Sequence, residues 1–282
     1  MKNRNVLITG GNAGIGLATA IALAKQGANI YIVSRNQEKA EAAAKLINSA
    51  SGNTNCGYFI ANLASQQSIR QLAEAVKTKL PVLDVLINNA GGVFPEFKKS
   101  EDALEMTIAT NHFAYFLLTN LLLDTIKKSD YARIVNVSSN SHYKGKIDFE
   151  SFTADKGYFI MKAYEQSKLA NVFFTQELAE RLQGSHVTVN ALHPGFVKTD
   201  IGTKGTQWYA SWIWTMISRI GAISVEDGAK TSIYLASSDE VKTVSGKYFD
   251  KCKTREPNPL AGDNALQKKL WAESEQWCGM SY

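Results

Sequence analysis

Short runs of aliphatic and β-branched residues alternate along the chain with longer segments in which apolar residues recur every three or four positions. The first pattern is typical of strands and the second of amphipathic helices. Several runs are almost continuous Val, Ile and Leu, which indicates strands covered on both faces of a sheet. The predicted strands are Asn5–Thr9, Asn29–Ser34, Cys56–Ile60, Val82–Asn88, Arg133–Ser138, Val187–His193 and Lys247–Asp250. The predicted helices are Ile15–Lys25, Glu38–Asn48, Gln66–Thr78, Ala103–Lys127, Lys162–Leu182 and Val225–Ala236.

This strict alternation predicts an α/β fold of the Rossmann type, a doubly wound parallel sheet of seven strands with helices on both faces. The 282 residues could form two domains of about 150 residues each. Seven strands in one sheet use almost the whole chain, however, so we expect residues 1–282 to form a single domain. Residues 251–282 are expected to be a tail packed on that domain, with Trp271 and Trp277 as anchors.

Composition and charge exclude several other classes of protein. With 45% hydrophobic residues, the chain can bury enough apolar surface to fold, which a disordered chain cannot. The net charge of +5 is spread along the chain without a basic block, so we expect no nucleic-acid partner. No run of about 18 apolar residues is present, so we expect no transmembrane segment.

Cysteine and histidine usage points to a reducing compartment and away from a metal site. The three cysteines form no C-x-x-C pair, which disfavours a disulfide framework or a zinc site. The four histidines show no metal-ligand spacing. The first predicted strand begins close to Met1, which leaves no room for a signal peptide. We therefore predict a cytoplasmic protein that needs no metal.

A glycine-rich turn follows the first predicted strand, with the sequence Thr9-Gly10-Gly11-Asn12-Ala13-Gly14-Ile15-Gly16. Glycines at these positions permit a tight turn and let the backbone approach a phosphate, which the N-terminus of the next helix then attracts. The spacing is G-x-x-x-G-x-G, not G-x-G-x-x-G, and a plain glycine-rich connection is the alternative. Its place between the first strand and first helix favours dinucleotide binding. Gly16 is expected to let that helix pack close to the strand.

The end of the second predicted strand indicates which dinucleotide is bound. NAD sites usually carry Asp or Glu there, which holds the ribose 2′-hydroxyl. Here the strand ends in Ser34-Arg35-Asn36, and no acidic residue precedes Glu38. The Arg35 guanidinium offers a forked cation suited to a 2′-phosphate. We therefore expect NADP(H) as the cofactor, the alternative being that Arg35 is a solvated surface charge.

Tyr164 and Lys168 are separated by one helical turn on the predicted helix that contains them, so they share a face. A neighbouring ammonium group favours the phenolate, so we expect Lys168 to lower the pKa of Tyr164. A tyrosine with such a pKa can exchange a proton with a carbonyl or alcohol oxygen. A Y-x-x-x-K pair occurs by chance on many helices, and it carries little weight alone.

Three further motifs lie where other predicted strands end. The fourth strand ends in Asn88-Asn89-Ala90-Gly91, the fifth in Val137-Ser138-Ser139, and the sixth in His193-Pro194-Gly195. Ser139 precedes Tyr164 by 25 residues. Ligands of open α/β sheets bind at the carboxyl ends of strands, so we expect these motifs to form one site.

With these motifs in family order and spacing, the chain resembles the short-chain dehydrogenase/reductase family. The resemblance implies a sheet ordered 3-2-1-4-5-6-7 and hydride transfer to or from nicotinamide. It implies that Tyr164 is the general acid/base, that Ser139 binds the substrate oxygen, and that Lys168 holds the nicotinamide ribose. It further implies a water-linked proton relay through Asn111 and a contact of Thr199 with the nicotinamide carboxamide. The residues expected to bind the cofactor are Gly10, Asn12, Gly14, Ile15, Gly16, Arg35, Asn62, Leu63, Asn89, Ala90, Gly91, Tyr164, Lys168, Pro194, Gly195, Val197 and Thr199.

Several segments resemble the retinol dehydrogenase branch of that family. They include Asn111-His112-Phe113, Arg133-Ile134-Val135-Asn136-Val137-Ser138-Ser139, Tyr164-Glu165-Gln166-Ser167-Lys168-Leu169-Ala170-Asn171 and Val244-Ser245-Gly246-Lys247-Tyr248-Phe249. This branch implies NADP(H) and a lipophilic alcohol or carbonyl substrate, such as a retinoid, a steroid or an aldehyde. Asn62-Leu63 departs from the usual Asp-Leu near the adenine, although an asparagine can still form a hydrogen bond.

Residues 200–223 are expected to form an apolar lid over the substrate. Trp208, Trp212 and Trp214 lie within seven residues, and apolar positions on two helical faces exceed what one core contact needs. Trp208 and Trp212 are therefore expected to contact substrate, as is His142 three residues after Ser139, the alternative for His142 being a structural or solvated histidine. Ordinary packing, a contact between copies in a homo-oligomer, and peripheral membrane binding are the alternatives for the tryptophans. For the whole protein, the alternatives are a catalytically silent NADP(H)-binding scaffold or sensor, and a pigment or quinone reductase.

Overall fold

The computed structural model describes residues 1–196 and 223–280. Its strands are β1 (Asn5–Thr9), β2 (Asn29–Ser34), β3 (Gly57–Ile60), β4 (Val85–Asn88), β5 (Arg133–Val137), β6 (Thr188–His193), β7 (Tyr248–Asp250) and β8 (Lys253–Arg255). Its α-helices are α1 (Gly14–Lys25), α2 (Gln37–Ser51), α3 (Gln66–Lys79), α4 (Met106–Ile108), α5 (Ala114–Lys127), α6 (Ile160–Arg181), α7 (Val225–Ser237) and α8 (Asn264–Cys278). A π-helical turn, Ala109–Phe113, joins α4 to α5.

The described strands form one sheet in the order β3-β2-β1-β4-β5-β6-β7-β8. The first seven are parallel, which confirms the predicted α/β fold and the strand order that the resemblance implied. The short strand β8 pairs antiparallel with β7 and was not predicted. Its three residues, Lys253–Arg255, are all polar and exposed, so no hydrophobic pattern marks it.

Each central strand contributes side chains to two separate apolar cores because both faces of the sheet are covered. Leu7 and Leu86 pack on the face that holds α3, α5, α6 and α8. Ile8 and Ile87 pack on the opposite face, which holds α1, α2 and α7. The near-continuous apolar runs of the sequence are therefore strands buried on both faces.

A buried chain of amides and hydroxyls fixes β4 and β5 to the helices beside them. The Asn88 side-chain Nδ2 donates to Thr119 Oγ1 and to Asn136 Oδ1, each at 2.9 Å. Asn136 Nδ2 in turn donates to Thr175 Oγ1 on α6 at 3.0 Å. Buried amides must find such partners, and these contacts set the positions of α5 and α6 relative to the strand ends.

The observed bounds differ from the predicted ones by at most three residues, and one predicted helix is interrupted. The segment predicted as one helix over 103–127 begins at Met106 and is interrupted by the π-helical turn. Strand β4 begins at Val85 rather than at residue 82. In both cases apolar residues that lie outside the helix or strand are buried by tertiary packing. A periodicity pattern does not distinguish such residues from apolar residues within the helix or strand.

The C-terminal segment contains β8 and α8. Trp271 on α8 is 2% exposed, with its ring centroid 4.9 Å from that of Phe116 and 5.9 Å from that of Phe174. Trp277 is half-buried and packs against the same core. Helix α8 thus covers the outer surfaces of α5 and α6. Among the described residues, no helix is both long and apolar enough to span a membrane.

Candidate active site

The polar motifs predicted to meet do lie at one edge of the sheet. The glycine turn follows β1, Asn89 follows β4, Ser139 closely follows β5 and Pro194 follows β6. Strands β1, β4, β5 and β6 are adjacent and parallel, so their carboxyl ends are neighbours. The chain order reverses between β1 and β4, and this reversal opens the crevice in which ligands of such sheets bind.

The glycine turn adopts a backbone that side chains would prevent. Gly10 and Gly14 have φ values of +66° and +53°, in the left-handed region. A Cβ at Gly16 would lie 2.6 Å from both Asn89 Nδ2 and the Gly10 carbonyl oxygen. Gly16 therefore lets α1 begin against the turn itself and the end of β4, not against β1 as the sequence analysis expected.

The N-terminus of α1 offers free backbone donors. Its N-cap is Ala13, which supplies no side-chain hydrogen bond, and no acidic residue occupies the first turn. Asn12 is half-buried and Ala13 exposed, so these N–H groups face solvent at the crevice. An uncapped helix N-terminus behind glycines without side chains fits a phosphate group. The residues present here thus fit the pyrophosphate of a dinucleotide.

Asn89 and Thr9 join the end of β4 to the glycine turn. Thr9 Oγ1 accepts hydrogen bonds from the backbone N–H groups of Asn89 and Ala90, at 2.9 Å and 3.0 Å. Asn89 Nδ2 donates to the Thr9 carbonyl oxygen at 2.8 Å. On the other side, the Tyr115 hydroxyl donates to the Ala90 carbonyl oxygen at 2.7 Å. These contacts hold the loop against the turn, and the sequence analysis missed the roles of Thr9 and Tyr115.

Asn111 lies in the π-helical turn, and its side chain is fully buried. Its Oδ1 accepts from the Gly92 N–H at 2.8 Å, and its Nδ2 donates to the Gly92 carbonyl at 3.0 Å. Nδ2 also donates to Ser167 Oγ at 3.0 Å. Single π-helical turns are frequent at functional sites because they redirect one side chain. Here the turn directs Asn111 toward the loop that follows β4.

Ser167 connects Asn111 to the helix that carries Tyr164. Its hydroxyl donates to the Tyr164 carbonyl oxygen at 2.8 Å while it accepts from Asn111. Ser167 is fully buried. The sequence signal for this contact was the position of Ser167 next to Lys168 in the Y-x-x-x-K segment. The signal is weak, because a serine within a helix rarely forms a contact of this kind.

Ser139 and Tyr164 approach each other across the crevice. The Ser139 hydroxyl lies close enough to the Tyr164 phenol to favour its charged form. Ser139 is also the N-cap of a short 3₁₀ helix, Asn140–Lys144, and its Oγ accepts from the Ser141 N–H at 3.2 Å. Tyr164 lies in the second turn of α6 and is half-buried. Two hydroxyl groups, one of them phenolic, are thus placed together at the carboxyl edge of the sheet.

The expectation that Lys168 lowers the pKa of Tyr164 is wrong for this structure. Burial raises the pKa of the Tyr164 phenol, and the nearby Ser139 hydroxyl offsets this only in part. Lys168 Nζ lies 5.7 Å from the centre of the Tyr164 ring, and burial lowers the pKa of Lys168 to about 8. Removal from water disfavours both charged forms, and it outweighs the attraction that sequence spacing alone suggests.

The Lys168 ammonium group has hydrogen-bond donors that are available to a bound ligand. Within the described part of the chain, the Lys168 ammonium group forms one hydrogen bond, from Nζ to the Val137 carbonyl oxygen at 3.1 Å. An ammonium group carries three donors. A Cβ on Gly91 would lie 3.4 Å from Lys168 Nζ and 3.3 Å from Asn111 Oδ1, so only glycine leaves this space open. A buried cation with unused donors fits the hydroxyl groups of a ribose.

Arg35 and Asn62 lie where the nucleoside end of a dinucleotide would be expected. Arg35 is exposed directly after β2, whose Val33 carbonyl accepts from the Gly10 N–H of the glycine turn at 2.9 Å. Asn62 is exposed after β3, and its Oδ1 accepts from the Ala64 N–H at 3.1 Å. Its Nδ2 has no partner among the described residues. The Leu63 side chain packs against the core.

The prediction that His142 contacts substrate does not fit its placement. His142 is fully buried, and its Nδ1 lies 2.6 Å from the Ser139 carbonyl oxygen. Its Nε2 accepts from the Asn258 N–H at 3.2 Å, so the ring is the Nδ1–H tautomer. Burial lowers the pKa of His142 to about 4. The imidazole stays neutral and positions the backbone of Ser139.

Pro194 and Gly195 lie at the end of β6. Gly195 has a φ of +89°, and a Cβ there would lie 2.4 Å from Ile223 Cδ1. The other predicted contacts near this strand, namely Val197, Thr199, Trp208, Trp212 and the lid up to residue 222, lie outside the described residues.

Comparison with known proteins gives consistent matches. A family model described as short chain dehydrogenase matches residues 4–210. The chain is 43% identical over 289 residues to retinol dehydrogenase 13 of Homo sapiens, covering 99% of this chain and 86% of that protein. It is 42% identical over 294 residues to retinol dehydrogenase 14 of Homo sapiens, covering 99% and 88%.

Two solved structures are similar over most of their length. An uncharacterized protein from Mycobacterium paratuberculosis superimposes with a TM-score of 0.79 at 32% identity, covering 100% of this chain and 95% of that one. A protein assigned to the short chain dehydrogenases, from Escherichia coli CFT073 and complexed with NADPH, gives a TM-score of 0.71 at 28% identity, covering 90% and 98%.

Replacing Gly16 with alanine tests the glycine turn. We expect Gly16→Ala to abolish measurable NADPH binding, because its methyl group would displace Asn89 and the Gly10 carbonyl from their positions. Fluorescence titration with NADPH measures the effect, and Gly262→Ala is the matched control because its methyl group meets nothing within 4 Å. Equal NADPH affinity in both variants would contradict this role of the turn.

Proposed function

The chain belongs to the short-chain dehydrogenase family of oxidoreductases, and from that premise we propose that it transfers a hydride between NADP(H) and a lipophilic alcohol or carbonyl compound. The observation that carries the proposal is the placement of the Ser139 and Tyr164 side chains together beside buried Lys168, at the sheet edge that also holds the glycine turn. Two hydroxyl groups and one cation beside a nucleotide cradle suit stabilisation of the negative charge that develops on a carbonyl oxygen during hydride transfer.

Tyr164 is proposed as the general acid in the reduction direction. Its raised pKa keeps the phenol protonated at neutral pH, so it can donate to a substrate carbonyl oxygen. Ser139 supplies a second hydrogen bond to that oxygen and stabilises the negative charge that develops on it. The nicotinamide, when bound, supplies the hydride. In the oxidation direction Tyr164 first gives its proton to solvent through the relay described below, and the resulting phenolate then accepts the proton of the alcohol.

Lys168 and Asn111 are proposed to restore the proton on Tyr164. As Tyr164 donates its proton it becomes a phenolate, which the Lys168 ammonium stabilises. Lys168 Nζ and Asn111 Oδ1 both border the space in front of Gly91. A water molecule between them would connect the lysine to the loop after β4, in the relay that the family resemblance implies.

A lipophilic substrate is favoured by the names of the relatives and by exposed aromatic side chains near the site. Retinol dehydrogenases 13 and 14 are named for a lipophilic alcohol. Phe159, which precedes α6, is 54% exposed, and Phe196, which follows Gly195, is 41% exposed. Each is only a few residues from a proposed site residue. Large apolar rings at such a position suit a substrate with a bulky hydrocarbon portion.

NADP(H) is proposed over NAD(H) because of Arg35. Its guanidinium is exposed at the end of β2, and no ion pair holds it among the described residues. It can therefore pair with a 2′-phosphate. Structural neighbours complexed with NADPH or NADP support the same choice.

Replacing Tyr164 with phenylalanine tests the reaction. We expect Tyr164→Phe to lower kcat for NADPH-dependent aldehyde reduction about 10³-fold, since general acid catalysis contributes about 10²–10⁴-fold. The Kd for NADPH should stay unchanged. Loss of reduced-nicotinamide absorbance with benzaldehyde or a long-chain aldehyde measures the rate, and Tyr234→Phe on α7 is the matched control. If the wild type binds NADPH but reduces no aldehyde, the protein is a nucleotide-binding scaffold.

Replacing Arg35 with alanine tests the choice of cofactor. We expect Arg35→Ala to raise KM for NADPH about 10- to 100-fold and to leave KM for NADH unchanged, because a charge-assisted hydrogen bond contributes about 1.5–3 kcal/mol. Lys39→Ala, an exposed cation on α2, should leave both KM values unchanged. An equal rise for both cofactors would show that Arg35 does not recognise the 2′-phosphate.

The pKa of Lys168 predicts how reduction depends on pH. The lysine is charged below pH 8 and neutral above it, so we expect kcat for reduction to fall as the pH rises through about 8. An arginine at position 168 stays charged at higher pH than the lysine. In Lys168→Arg the pH at which kcat declines should therefore be higher, even if kcat itself is lower. Lys162→Arg, on the exposed face of α6, should leave the wild-type profile unchanged. If kcat of Lys168→Arg declines at the same pH as kcat of the wild type, the group that titrates is not Lys168.

A further inference from the structure

Asn258 lies in the C-terminal part of the chain, between β8 and α8, and is 5% exposed. Pro257 and Pro259 flank it. A proline fixes its own φ and holds the residue before it in an extended conformation, and Asn258 accordingly has φ −49° and ψ 133°. The backbone at Asn258 therefore has little conformational freedom and can hold in place what it contacts.

The Asn258 side chain caps the end of the 3₁₀ helix that follows β5. Its Nδ2 lies 2.9 Å, 3.1 Å and 3.2 Å from the carbonyl oxygens of His142, Tyr143 and Gly145. The last carbonyl groups of a helix have no partner within the helix, so a donor from elsewhere in the chain must satisfy them when they are buried. One amide group from the C-terminal part of the chain thus holds the far end of this helix.

The Asn258 backbone is linked to Ser139, at the other end of the same helix, through the His142 ring. The Asn258 N–H donates to His142 Nε2 at 3.2 Å, and His142 Nδ1–H donates to the Ser139 carbonyl oxygen at 2.6 Å. The rings of Tyr143 and Tyr248 pack against the imidazole, with centres 4.1 Å and 4.5 Å from its centre. The link to Ser139 therefore consists of two hydrogen bonds and one buried ring.

The residue that follows this 3₁₀ helix, Gly145, packs directly on α6, the helix that carries Tyr164. A Cβ at Gly145 would lie 2.6 Å from the Glu165 carbonyl oxygen and 2.9 Å from Leu169 Cβ. The backbone at Gly145 cannot move closer to α6 without overlap, and the contacts of Asn258 oppose movement away from it. Together these contacts set the separation of the two hydroxyl groups of the active site.

We propose that Asn258 is a positioning residue for the reduction, which holds the Ser139 hydroxyl where it and the Tyr164 phenol can both reach one substrate oxygen. The inference rests on the proposed function. Asn258 is buried, and it acts through His142 and the 3₁₀ helix. A hydrogen bond to the charge that develops on the substrate oxygen depends steeply on geometry, so a small shift of Ser139 lowers kcat. The nucleotide crevice keeps its shape.

Replacing Asn258 with serine tests this role. Asn258 Oδ1 accepts from the Leu260 N–H at 2.8 Å, and serine can replace that acceptor, but it is too short to reach the three carbonyl oxygens. We expect Asn258→Ser to lower kcat for NADPH-dependent aldehyde reduction about 10- to 100-fold and to leave Kd for NADPH unchanged. Asn264→Ser, the same change at an exposed position on α8, is the matched control. An unchanged kcat in Asn258→Ser would overturn the proposal.

A second background separates positioning from a general loss of structure. In Ser139→Ala the hydroxyl that Asn258 positions is absent, so adding Asn258→Ser should lower the remaining kcat about twofold at most. A fall of the same size in both backgrounds would overturn the proposal, because it would show an effect that does not pass through the Ser139 hydroxyl.

Hydrogen exchange gives a readout that does not depend on catalysis. The His142 N–H donates to the Ser139 carbonyl at 3.1 Å, and the Gly145 N–H donates to the His142 carbonyl at 3.0 Å. Both amides should exchange faster in Asn258→Ser, as measured by mass spectrometry on the peptide that contains residues 139–146. Equal exchange in variant and wild type would overturn the role of Asn258 alone. A wild type that binds NADPH but reduces no aldehyde would instead overturn the proposed function, and this proposal with it.

A milder variant keeps the proposal testable if Asn258→Ser fails to fold. The Tyr143 hydroxyl donates to the Glu256 carbonyl oxygen at 2.6 Å and so ties the same 3₁₀ helix to the chain just before Asn258. Tyr143 is 41% exposed, so Tyr143→Phe should fold normally. We expect it to lower kcat about two- to tenfold with an unchanged Kd for NADPH. An unchanged kcat would overturn the proposal.

Discussion

The close contact between Asn89 and the glycine turn is the constraint on which the whole carboxyl edge depends. Asn89 donates to the Thr9 carbonyl, and α1 can begin beside it only because Gly16 has no side chain. This contact joins the ends of β1 and β4 at the point where the chain order reverses. It sets the width of the crevice and exposes the free N–H groups of α1. Residues of the next layer, Asn111 and Ser167, are then positioned from the same loop through hydrogen bonds to Gly92 and to the backbone of α6.

Burial, more than attraction between charges, sets the protonation states of the candidate catalytic groups. Tyr164 is half-buried and Lys168 is almost fully buried, so the phenol pKa rises and the ammonium pKa falls to about 8. The result is a protonated tyrosine beside a lysine that is charged at neutral pH. This combination suits donation of a proton to a carbonyl oxygen. His142 is a third buried group, and its neutral ring serves to hold the Ser139 backbone.

Strand β5 connects two polar centres of different kinds. Closely after its carboxyl end lies Ser139, near Tyr164, and at its amino end lies Arg133, whose Nη2 is buried without a partner among the described residues. The middle of the strand is held by the Asn88–Asn136–Thr175 chain of buried hydrogen bonds. These hydrogen bonds link β4 and β5 to α5 and α6 between the two polar centres. The two edges of the sheet can therefore present different chemistry without sharing residues.

The sequence alone determined the α/β fold, the positions of seven strands, the glycine turn and the set Ser139, Tyr164 and Lys168, because local hydrophobic patterns and strand ends are encoded in short segments. The tertiary structure alone decided what depends on burial and on distant neighbours. It placed β8, whose polar residues carry no pattern, and it interrupted a continuous apolar segment with the π-helical turn that directs Asn111. It also reversed the expected pKa shift of Tyr164 and enclosed His142. Arg133 belongs to an apolar strand pattern in the sequence, and its unpaired donor appears only when α7 and the end of α6 pack beside it. For Tyr164 and His142 the deciding quantity was how much water the fold removes from the group, which no spacing along the chain specifies.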